Sequence, residues 1–222
     1  MNKLQFDVLR LISEHESVDI AGIARELYKG ADEVSNAISS LQKNGMLKGY
    51  SLTKNGRDVL NAHRIKNAII LAAGMSTRFI PLNFEKPKGL LVVKGETLIE
   101  RQIRHLREKG IEEIIVVVGY MKECFEFLKE KYGVILVEAK DYAERNNHAS
   151  VYAAKEYLKN TIITSSDLYF SENIFQTYAY DSYYCTLFVP GKTAERGIET
   201  DSDDKIIDTF YGDKCYDTWI TL

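Results

Sequence analysis

The chain has 222 residues, a formal net charge of −3 and no apolar run that approaches the length of a membrane span. Its 45% hydrophobic and 27% charged residues are typical of a soluble globular protein. The mildly acidic charge disfavours a protein that coats nucleic acid, and we expect no membrane partner. Three widely spaced cysteines fit neither a zinc nor a disulfide pattern, so we expect a cytoplasmic location.

About the first quarter of the chain predicts a small helical unit. Apolar residues recur at helical spacing over residues 4–12, which indicates a first helix. A second helix is expected over Ile20–Leu27, with Ser17 or Asp19 as its N-cap and Gly30 at its end.

A third helix is expected to end at Asn44-Gly45, followed by a short hairpin over 46–52 and a helix from about Lys54 to Ala62. This order of elements is that of a winged helix-turn-helix. The string S-L-T-K-N-G-R-D-V-L, residues 51–60, resembles the wing and last helix of such regulators. The sequence therefore predicts a winged helix-turn-helix domain over residues 1–64.

The charge of this predicted domain bears on DNA binding. Residues 1–64 contain nine Lys/Arg and eight Asp/Glu, and the expected recognition helix carries Asp32 and Glu33 against Lys43. A DNA reader usually presents a clear basic face. We therefore favour packing, dimerisation or ligand-coupled regulation, and we keep as the alternative a DNA-binding regulator with a nucleotide-sensing second domain.

From Lys66 onward, apolar strands alternate with amphipathic helices. The expected strands are Asn67–Leu71, Ile114–Val118, Val134–Val137 and Thr161–Thr164, and the expected helices are Leu98–Lys109, Met121–Tyr132 and Ser150–Leu158. This alternation predicts right-handed crossovers and an α/β, Rossmann-like fold with a mostly parallel sheet. Ligands of such sheets bind beyond the carboxyl ends of the strands.

The pattern is weaker after Ser171. Residues 184–189 and 206–211 read as strands, with a polar connection over 192–204 between them. The last residues, 217–222, read as a strand that has just begun. We therefore expect a second domain over residues 65–222 that is truncated at its C-terminal end.

The loop after the first strand of this domain has the composition of a phosphate-binding loop. It begins with the small residues Ala72, Ala73 and Gly74 and ends with Pro87-Lys88. Small residues let backbone N–H groups approach a phosphate closely, and basic side chains neutralise its charge. The spacing is that of neither a Walker A loop nor a G-x-G-x-x-G loop.

The full string L-A-A-G-M-S-T-R-F-I-P-L-N-F-E-K-P-K, residues 71–88, resembles the signature of nucleotidyltransferases that join an NTP to a phosphorylated small molecule. Further segments are similar to the bacterial phosphocholine cytidylyltransferases, namely residues 98–103, 117–123, 130–134 and 142–147. The resemblance implies a fold of the nucleotide-diphospho-sugar transferase type. It also implies CTP as nucleotide, a phosphorylated amino alcohol or sugar as acceptor and Mg²⁺ as cofactor, with a sugar-1-phosphate nucleotidyltransferase as the alternative.

The resemblance also implies roles for particular residues. Arg78 would grip the triphosphate, Lys88 would bridge the α-phosphate and the incoming phosphate, and Asp167 would hold Mg²⁺. The nucleotide-binding residues would be Leu71, Ala72, Ala73, Gly74, Met75, Ser76, Thr77, Asn146 and Asn147.

Each of these residues also has a structural interpretation. Isolated Arg and Lys side chains are usually solvated surface groups, and Asp167 could cap a helix that starts near Ser171. Gly74 could serve a tight turn, and Asn146 and Asn147 could cap a helix.

A choline-type headgroup would require an aromatic cage. Its candidates are Tyr169, Tyr178, Tyr180, Tyr183, Tyr184, Tyr211, Tyr216 and Trp219, although core or edge packing is the more common role of a strand tyrosine. The resemblance places a second metal-binding carboxylate on a later strand, with Asp217 as a weak substitute in this chain.

Overall fold

The computed structural model describes residues 1–15, 18–75, 85–142, 147–212 and 215–221. These residues form two compact units, Met1–Tyr180 and Asp181–Leu222, and each is described by itself. The predicted domain boundary between residues 64 and 65 lies inside the first unit and stays a prediction.

The N-terminal part of the first unit has its elements in the predicted order. They are α1 (Lys3–Glu14), α2 (Ile20–Leu27), α3 (Ala31–Lys43), the antiparallel hairpin of β1 (Leu47–Lys48) and β2 (Ser51–Leu52), and α4 (Lys54–Ala62). The side chains of Asn2, Asp19 and Thr53 each accept a backbone N–H in the first turn of a helix, which satisfies donors that a helix leaves unpaired. These elements bury a common apolar core that includes Phe6, Leu9, Ile23, Val34, Leu41 and Leu60.

The expected ends of α2 were only partly correct. Asp19 is its N-cap, as predicted, and Ser17 lies outside the described residues. Gly30 does not end the helix. The chain leaves α2 at Tyr28, which adopts a left-handed φ of 52° and donates its N–H to the carbonyls of Ala24 and Arg25. Gly30 has an extended backbone and is instead the N-cap of α3.

The rest of the first unit alternates strands and helices. Its elements are β3 (Asn67–Ala72), the short hairpin of β4 (Val92–Val93) and β5 (Glu96–Thr97), α5 (Leu98–Glu108), β6 (Glu113–Val118), α6 (Phe127–Tyr132), β7 (Ile135–Glu138), α7 (Asn147–Ala153) and β8 (Thr161–Ser165). Strands β3, β6, β7 and β8 form one parallel sheet in the order β7-β6-β3-β8. The predicted parallel α/β architecture is therefore confirmed.

The path of the chain across the sheet reverses at β3, although all four strands are parallel. From β3 the chain moves outward through β6 to β7, and it then returns to place β8 on the opposite side of β3. In open parallel sheets, a reversal of this kind opens a crevice at the carboxyl ends of the two central strands. The segments that follow Ala72 and Ser165 lie at that edge, where the Ser166 N–H donates to the Leu71 carbonyl of β3 at 2.9 Å.

The central strands β3 and β6 are covered on both faces, which explains their continuous apolar runs. On one face, Ala68 and Ile70 of β3 belong to a core with Ile99 and Ile103 of α5. On the other face, Ile69 belongs to a core that also contains Ala73, Ile115, Val117, Ala139 and Ala154. The result is a three-layer arrangement around the central strands.

The amino ends of β3 and β8 are tied together by polar contacts. Asn67 is fully buried, donates its side-chain N–H to the Tyr157 carbonyl at 2.8 Å and accepts the Thr161 hydroxyl at 2.7 Å. The Asn160 side chain donates to the carbonyls of His63 and Arg64, each at 3.1 Å. This edge of the sheet is thus joined directly to the end of the N-terminal helices.

Two predicted helices are shorter and interrupted in the structure. Met121 has a left-handed φ of 51°, so the helix expected over 121–132 begins as a 3₁₀ turn at Lys122–Phe125 and becomes α-helical only in α6. The helix expected over 150–158 starts earlier, at Asn147, and gives way to a 3₁₀ turn at Lys155–Tyr157 after the fully buried Ala154. Within the described ranges, no helix combines the length and apolar composition needed to span a bilayer.

The second unit is an antiparallel sheet of β9 (Thr186–Lys192), β10 (Gly197–Thr200), β11 (Ile206–Phe210) and β12 (Tyr216–Thr221), in the order β11-β10-β12-β9. The expected polar connection over 192–204 is therefore wrong, because it contains β10. Glycine is required at Gly197, where a Cβ atom would lie 2.4 Å from the ring of Phe210 on the paired strand. Asp217 uses its carboxylate within this sheet, where it accepts the Gly191 N–H at 2.6 Å.

Candidate active site

The end of β3 and the loop that follows it consist of small or apolar residues. Leu71, Ala72, Ala73 and Gly74 all line one cavity at the carboxyl edge of the sheet. A Cβ atom on Gly74 would meet no described atom within 4 Å, and its φ is not left-handed. Within the described part of the chain, neither a crowded contact nor a left-handed turn therefore requires glycine at this position. A ligand that approaches the backbone closely would require it.

The segment after β8 brings a carboxylate to the same cavity. Ser165, Ser166 and Asp167 line it together, and Asp167 lies two residues past the end of β8. The structural alternative, in which Asp167 caps a helix near Ser171, is wrong because residues 171–180 contain no helix. Its side chain instead lies at the mouth of the cavity, where 41% of it is exposed.

A 3₁₀ turn at Lys88–Leu90 places a lysine opposite this carboxylate. The Lys88 ammonium donates to the Asp167 carboxylate at 3.3 Å, although 79 positions separate the two residues in the chain. Gly89 makes the approach feasible, because a Cβ atom there would lie 2.8 Å from the Cβ atom of Ser166. The turn can therefore pack against the segment after β8 only with glycine at its centre.

These segments enclose a cavity of about 270 Å³. Of the residues predicted to bind nucleotide or metal, it brings together Leu71, Ala72, Ala73, Gly74, Lys88, Asn147 and Asp167. Met75 adjoins the lining residue Gly74 in the chain. Four further predicted residues, Ser76, Thr77, Arg78 and Asn146, lie outside the described residues. Asn147 is exposed as the first residue of α7, whose Ser150 also lines the cavity.

The chemistry of the lining suits a phosphorylated ligand with a hard cation. The Lys88 ammonium and the backbone N–H groups of small residues favour anions. The oxygen donors of Asp167, Ser165 and Ser166 are of the type that Mg²⁺ prefers. In the described segments, no group of three or more His, Cys, Asp or Glu could hold a metal by itself. A single carboxylate fits an ion that takes its other ligands from substrate phosphates and water.

Comparison with known proteins shows the family. Residues 68–197, more than half of the chain, match the MobA-like NTP transferase domain. The chain belongs to the MobA-like NTP transferase family. Two curated relatives are nucleotidyltransferase enzymes, each 43% identical to this member of the family. They are the choline-phosphate cytidylyltransferase of Streptococcus pneumoniae, over 147 residues, and the 2-aminoethylphosphonate cytidylyltransferase of Lancefieldella rimae, over 145 residues.

The matched regions cover 66% and 64% of this chain and 64% and 59% of the two relatives, so the match spans less than two thirds of each relative. A solved structure of the S. pneumoniae CTP:phosphocholine cytidylyltransferase shares 42% identity, with a TM-score of 0.66 over 71% of this chain and 68% of that chain. The inositol-1-phosphate CTP transferase of T. maritima is 19% identical, with a TM-score of 0.55 over 71% and 69% of the two chains, and shows the common fold alone.

Sequence reasoning missed several residues around this cavity. Gly89 and Ser150 line the cavity but belong to no pattern in the sequence, and Pro87 belongs to the signature string without a predicted role. Gln102 and Arg101 of α5 contact the backbone of the segment after β8. One feature of the sequence could have identified Gln102, because it is a polar residue at a position of the helix where the spacing predicts an apolar one.

The proposed aromatic cage is only partly available. Tyr178 and Tyr180 pack against the core of the N-terminal helices, where the Tyr180 ring stacks on His63 at 5.9 Å. The Tyr169 ring lies 4.9 Å from the Arg101 guanidinium and therefore already contacts a cation. In the second unit, Tyr183, Tyr184, Tyr211, Tyr216 and Trp219 are exposed.

Proposed function

We propose that the chain is a Mg²⁺-dependent cytidylyltransferase that joins CTP to a small phosphorylated or phosphonate acceptor and releases pyrophosphate. The observation that carries this proposal is the cavity in which the small-residue loop after β3 meets Lys88 and Asp167. The identity to two cytidylyltransferases supports CTP as the nucleotide.

The reaction would be a displacement at the α-phosphorus of CTP. An anionic oxygen of the acceptor attacks, the bond to the β-phosphate breaks, and pyrophosphate leaves. The acceptor oxygen is already negatively charged near neutral pH, so the chain has no need of a strong general base. Catalysis would consist of alignment and of neutralising the crowded negative charge.

The residues of the cavity divide this work. The backbone from Leu71 to Gly74 would receive the nucleotide, and Lys88 would neutralise the α-phosphate and the incoming phosphate. Asp167 would hold Mg²⁺, which supplies positive charge to the phosphate oxygens when bound. Arg78, outside the described residues, keeps its proposed role on the triphosphate.

The names of the two relatives state their acceptors, and these limit the chemical class of acceptor that we propose for this chain. Phosphocholine and 2-aminoethylphosphonate share an anionic phosphorus group and a cationic nitrogen on a short carbon chain. We therefore propose an acceptor of this class, ahead of a sugar 1-phosphate. A separate pocket with acidic or aromatic character would recognise the nitrogen.

Pyrophosphate release tests this function. Purified protein with CTP and Mg²⁺ is given phosphocholine, 2-aminoethylphosphonate or glucose 1-phosphate, and a reaction without acceptor is the control. We expect acceptor-dependent release with one of the first two compounds. A folded protein that releases no pyrophosphate with any of the four common NTPs and these acceptors contradicts the proposal.

We also infer that residues 1–64 form a winged helix-turn-helix domain, supported by three helices followed by a hairpin and a fourth helix. The exposed start of α3 carries Asp32 and Glu33, which disfavours DNA. A gel-shift with the upstream DNA of the gene at physiological salt tests DNA binding by these residues, and we expect no sequence-specific complex.

A further inference from the structure

A glutamine occupies the apolar face of α5. Gln102 is 1% exposed and lies between Ile99, Ile103 and Leu106, each of which is fully buried. A buried amide stabilises a fold only if its polar atoms are paired, because an unpaired one loses its hydration without replacement. The partners of Gln102 therefore show what it is for.

All three described partners lie on β8 and the turn that follows it. The Gln102 side-chain N–H groups donate to the Ser165 carbonyl at 2.8 Å and to the Leu168 carbonyl at 3.0 Å. Its side-chain oxygen accepts the Thr164 hydroxyl at 3.1 Å. One amide thus holds both ends of the four-residue segment Ser165–Leu168, whose third residue is Asp167.

The neighbouring residue extends this hold along the chain. Arg101 donates to the carbonyls of Phe170 and Ser171, each at 2.7 Å, and its guanidinium lies over the ring of Tyr169. Consecutive residues of α5 therefore fix the backbone on both sides of Asp167. The carboxylate itself stays open to the cavity and within 3.3 Å of Lys88.

We propose that Gln102 is a positioning residue, which clamps the Ser165–Leu168 turn so that Asp167 presents its carboxylate to the metal and phosphates in the cavity. This inference rests on the proposed function for the role of Asp167. A displacement of about 1 Å at a catalytic group can lower turnover by about 100-fold. The clamp would therefore affect turnover more than it affects nucleotide binding.

Asn67 provides a matched control at the opposite end of the same strands. It is also a fully buried amide that pairs with a main-chain carbonyl and a threonine hydroxyl. Replacing it breaks a similar network at a distance from the cavity. Any effect common to both variants is therefore a general consequence of losing a buried amide.

The experiment compares Gln102→Met and Gln102→Glu with Asn67→Leu and the original protein. Met keeps the length of the side chain without its donors, and Glu keeps an acceptor for Thr164 while losing the donors to both carbonyls. We expect both Gln102 variants to lower kcat about 10- to 100-fold, with KM for CTP within about threefold. They should also raise the Mg²⁺ concentration required for half-maximal rate, whereas Asn67→Leu should change neither.

Hydrogen exchange of the protein without ligand gives a readout independent of activity. Amides of residues 165–171 should exchange faster in the Gln102 variants, with the rest of the sheet unchanged, and Asn67→Leu should not affect them. Unchanged exchange of this segment in a folded Gln102 variant overturns the clamp, even if the protein proves to have another activity. A kcat loss equal to that of Asn67→Leu overturns its positioning role. If the original protein turns over no nucleotide, the proposed function fails and the exchange data alone decide.

Discussion

The two ends of the parallel sheet use the same device for different purposes. At the amino end, the buried amide of Asn67 pairs with Tyr157 and Thr161. At the carboxyl end, the buried amide of Gln102 also pairs with carbonyls and a threonine hydroxyl, but the segment that it holds leaves the Asp167 carboxylate facing a cavity. A buried amide thus pairs with neighbouring segments at both ends of the sheet. The carboxyl end differs because the segment between the partners of Gln102 presents the Asp167 side chain to a cavity.

The largest expected effect is at the side chains that face the cavity. Lys88→Ala and Asp167→Asn should each lower kcat for pyrophosphate release about 10²- to 10³-fold. Under the proposed function, Lys88 neutralises charge on the reacting phosphates, and the Asp167 carboxylate holds the Mg²⁺ that does the same. Both side chains are partly exposed, so the melting temperature should change little. Steady-state kinetics and thermal melting measure the two effects.

Lys86→Ala is the control for this prediction, because Lys86 is exposed and lies two positions before Lys88. It should retain activity within about twofold, since an exposed lysine away from the reacting groups contributes little. Loss of activity equal to that of Lys88→Ala would mean that general positive charge, rather than the position of Lys88, matters.

A smaller effect is expected where the two loops touch. Gly89→Ala would place a Cβ atom 2.8 Å from the Ser166 Cβ atom, so the Lys88 turn must move away from the segment after β8. We expect about a tenfold loss of kcat and a destabilisation of about 1–3 kcal/mol, as for other overpacked sites. Gly74→Ala should instead leave the melting temperature unchanged and raise KM for CTP. Equal changes of melting temperature and of KM for CTP in the two variants would contradict a packing role for Gly89 and a ligand-contact role for Gly74.

At the amino end, the expected effect is on stability alone. Asn67→Leu leaves the Tyr157 carbonyl and the Thr161 hydroxyl without their partner, at a cost of about 1–3 kcal/mol in the free energy of unfolding. Denaturant unfolding measures this cost, and kcat should stay within about twofold. A large loss of kcat with an intact fold would show that the two ends of the sheet are coupled, and would contradict a role for Asn67 in stability alone.

The smallest effect concerns His105, which lies on α5 and belongs to neither end. Burial lowers its pKa, and the nearby guanidiniums of Arg101 and Arg104 lower it further, while Glu108 and Glu96 act in the opposite direction. The unfolded chain therefore takes up a proton below about pH 6.5 before the folded chain does, so stability should fall as the pH is lowered below this value. Thermal melts of His105→Leu should show a weaker decline below pH 6.5 than the original protein. An identical decline would exclude His105 as its source.

Much of this fold could be predicted because the two central strands, β3 and β6, are apolar along almost their whole length. The apolar run Ile114–Val118 indicates a strand buried on both faces, and the structure covers β6 on both faces. The cavity residues after β3 and β8 could be predicted from their place at strand ends. By contrast, β10 was missed because its exposed residues are polar and its pairing depends on Gly197 lying under the Phe210 ring.

Gln102 could not be assigned from the sequence, because its meaning depends on a tertiary contact. Its partners at Ser165 and Leu168 lie 63 and 66 positions away, and only the packing of α5 on the sheet brings them together. The close approach of Gly89 to Ser166 is a further contact of this kind. Local patterns indicate which elements form, whereas the positioning of a site depends on contacts between them.

Hydrogen exchange with and without CTP and Mg²⁺ tests the assignment of the nucleotide site to the carboxyl end of the sheet most directly, because it compares both ends of the sheet in one measurement. We predict protection of residues 71–75, 88–89 and 165–168 when nucleotide binds, and no change at residues 65–68 and 160–162. Protection confined to the amino end or to the N-terminal helices, or no protection of the three cavity segments at saturating CTP, would contradict the assignment of the nucleotide site.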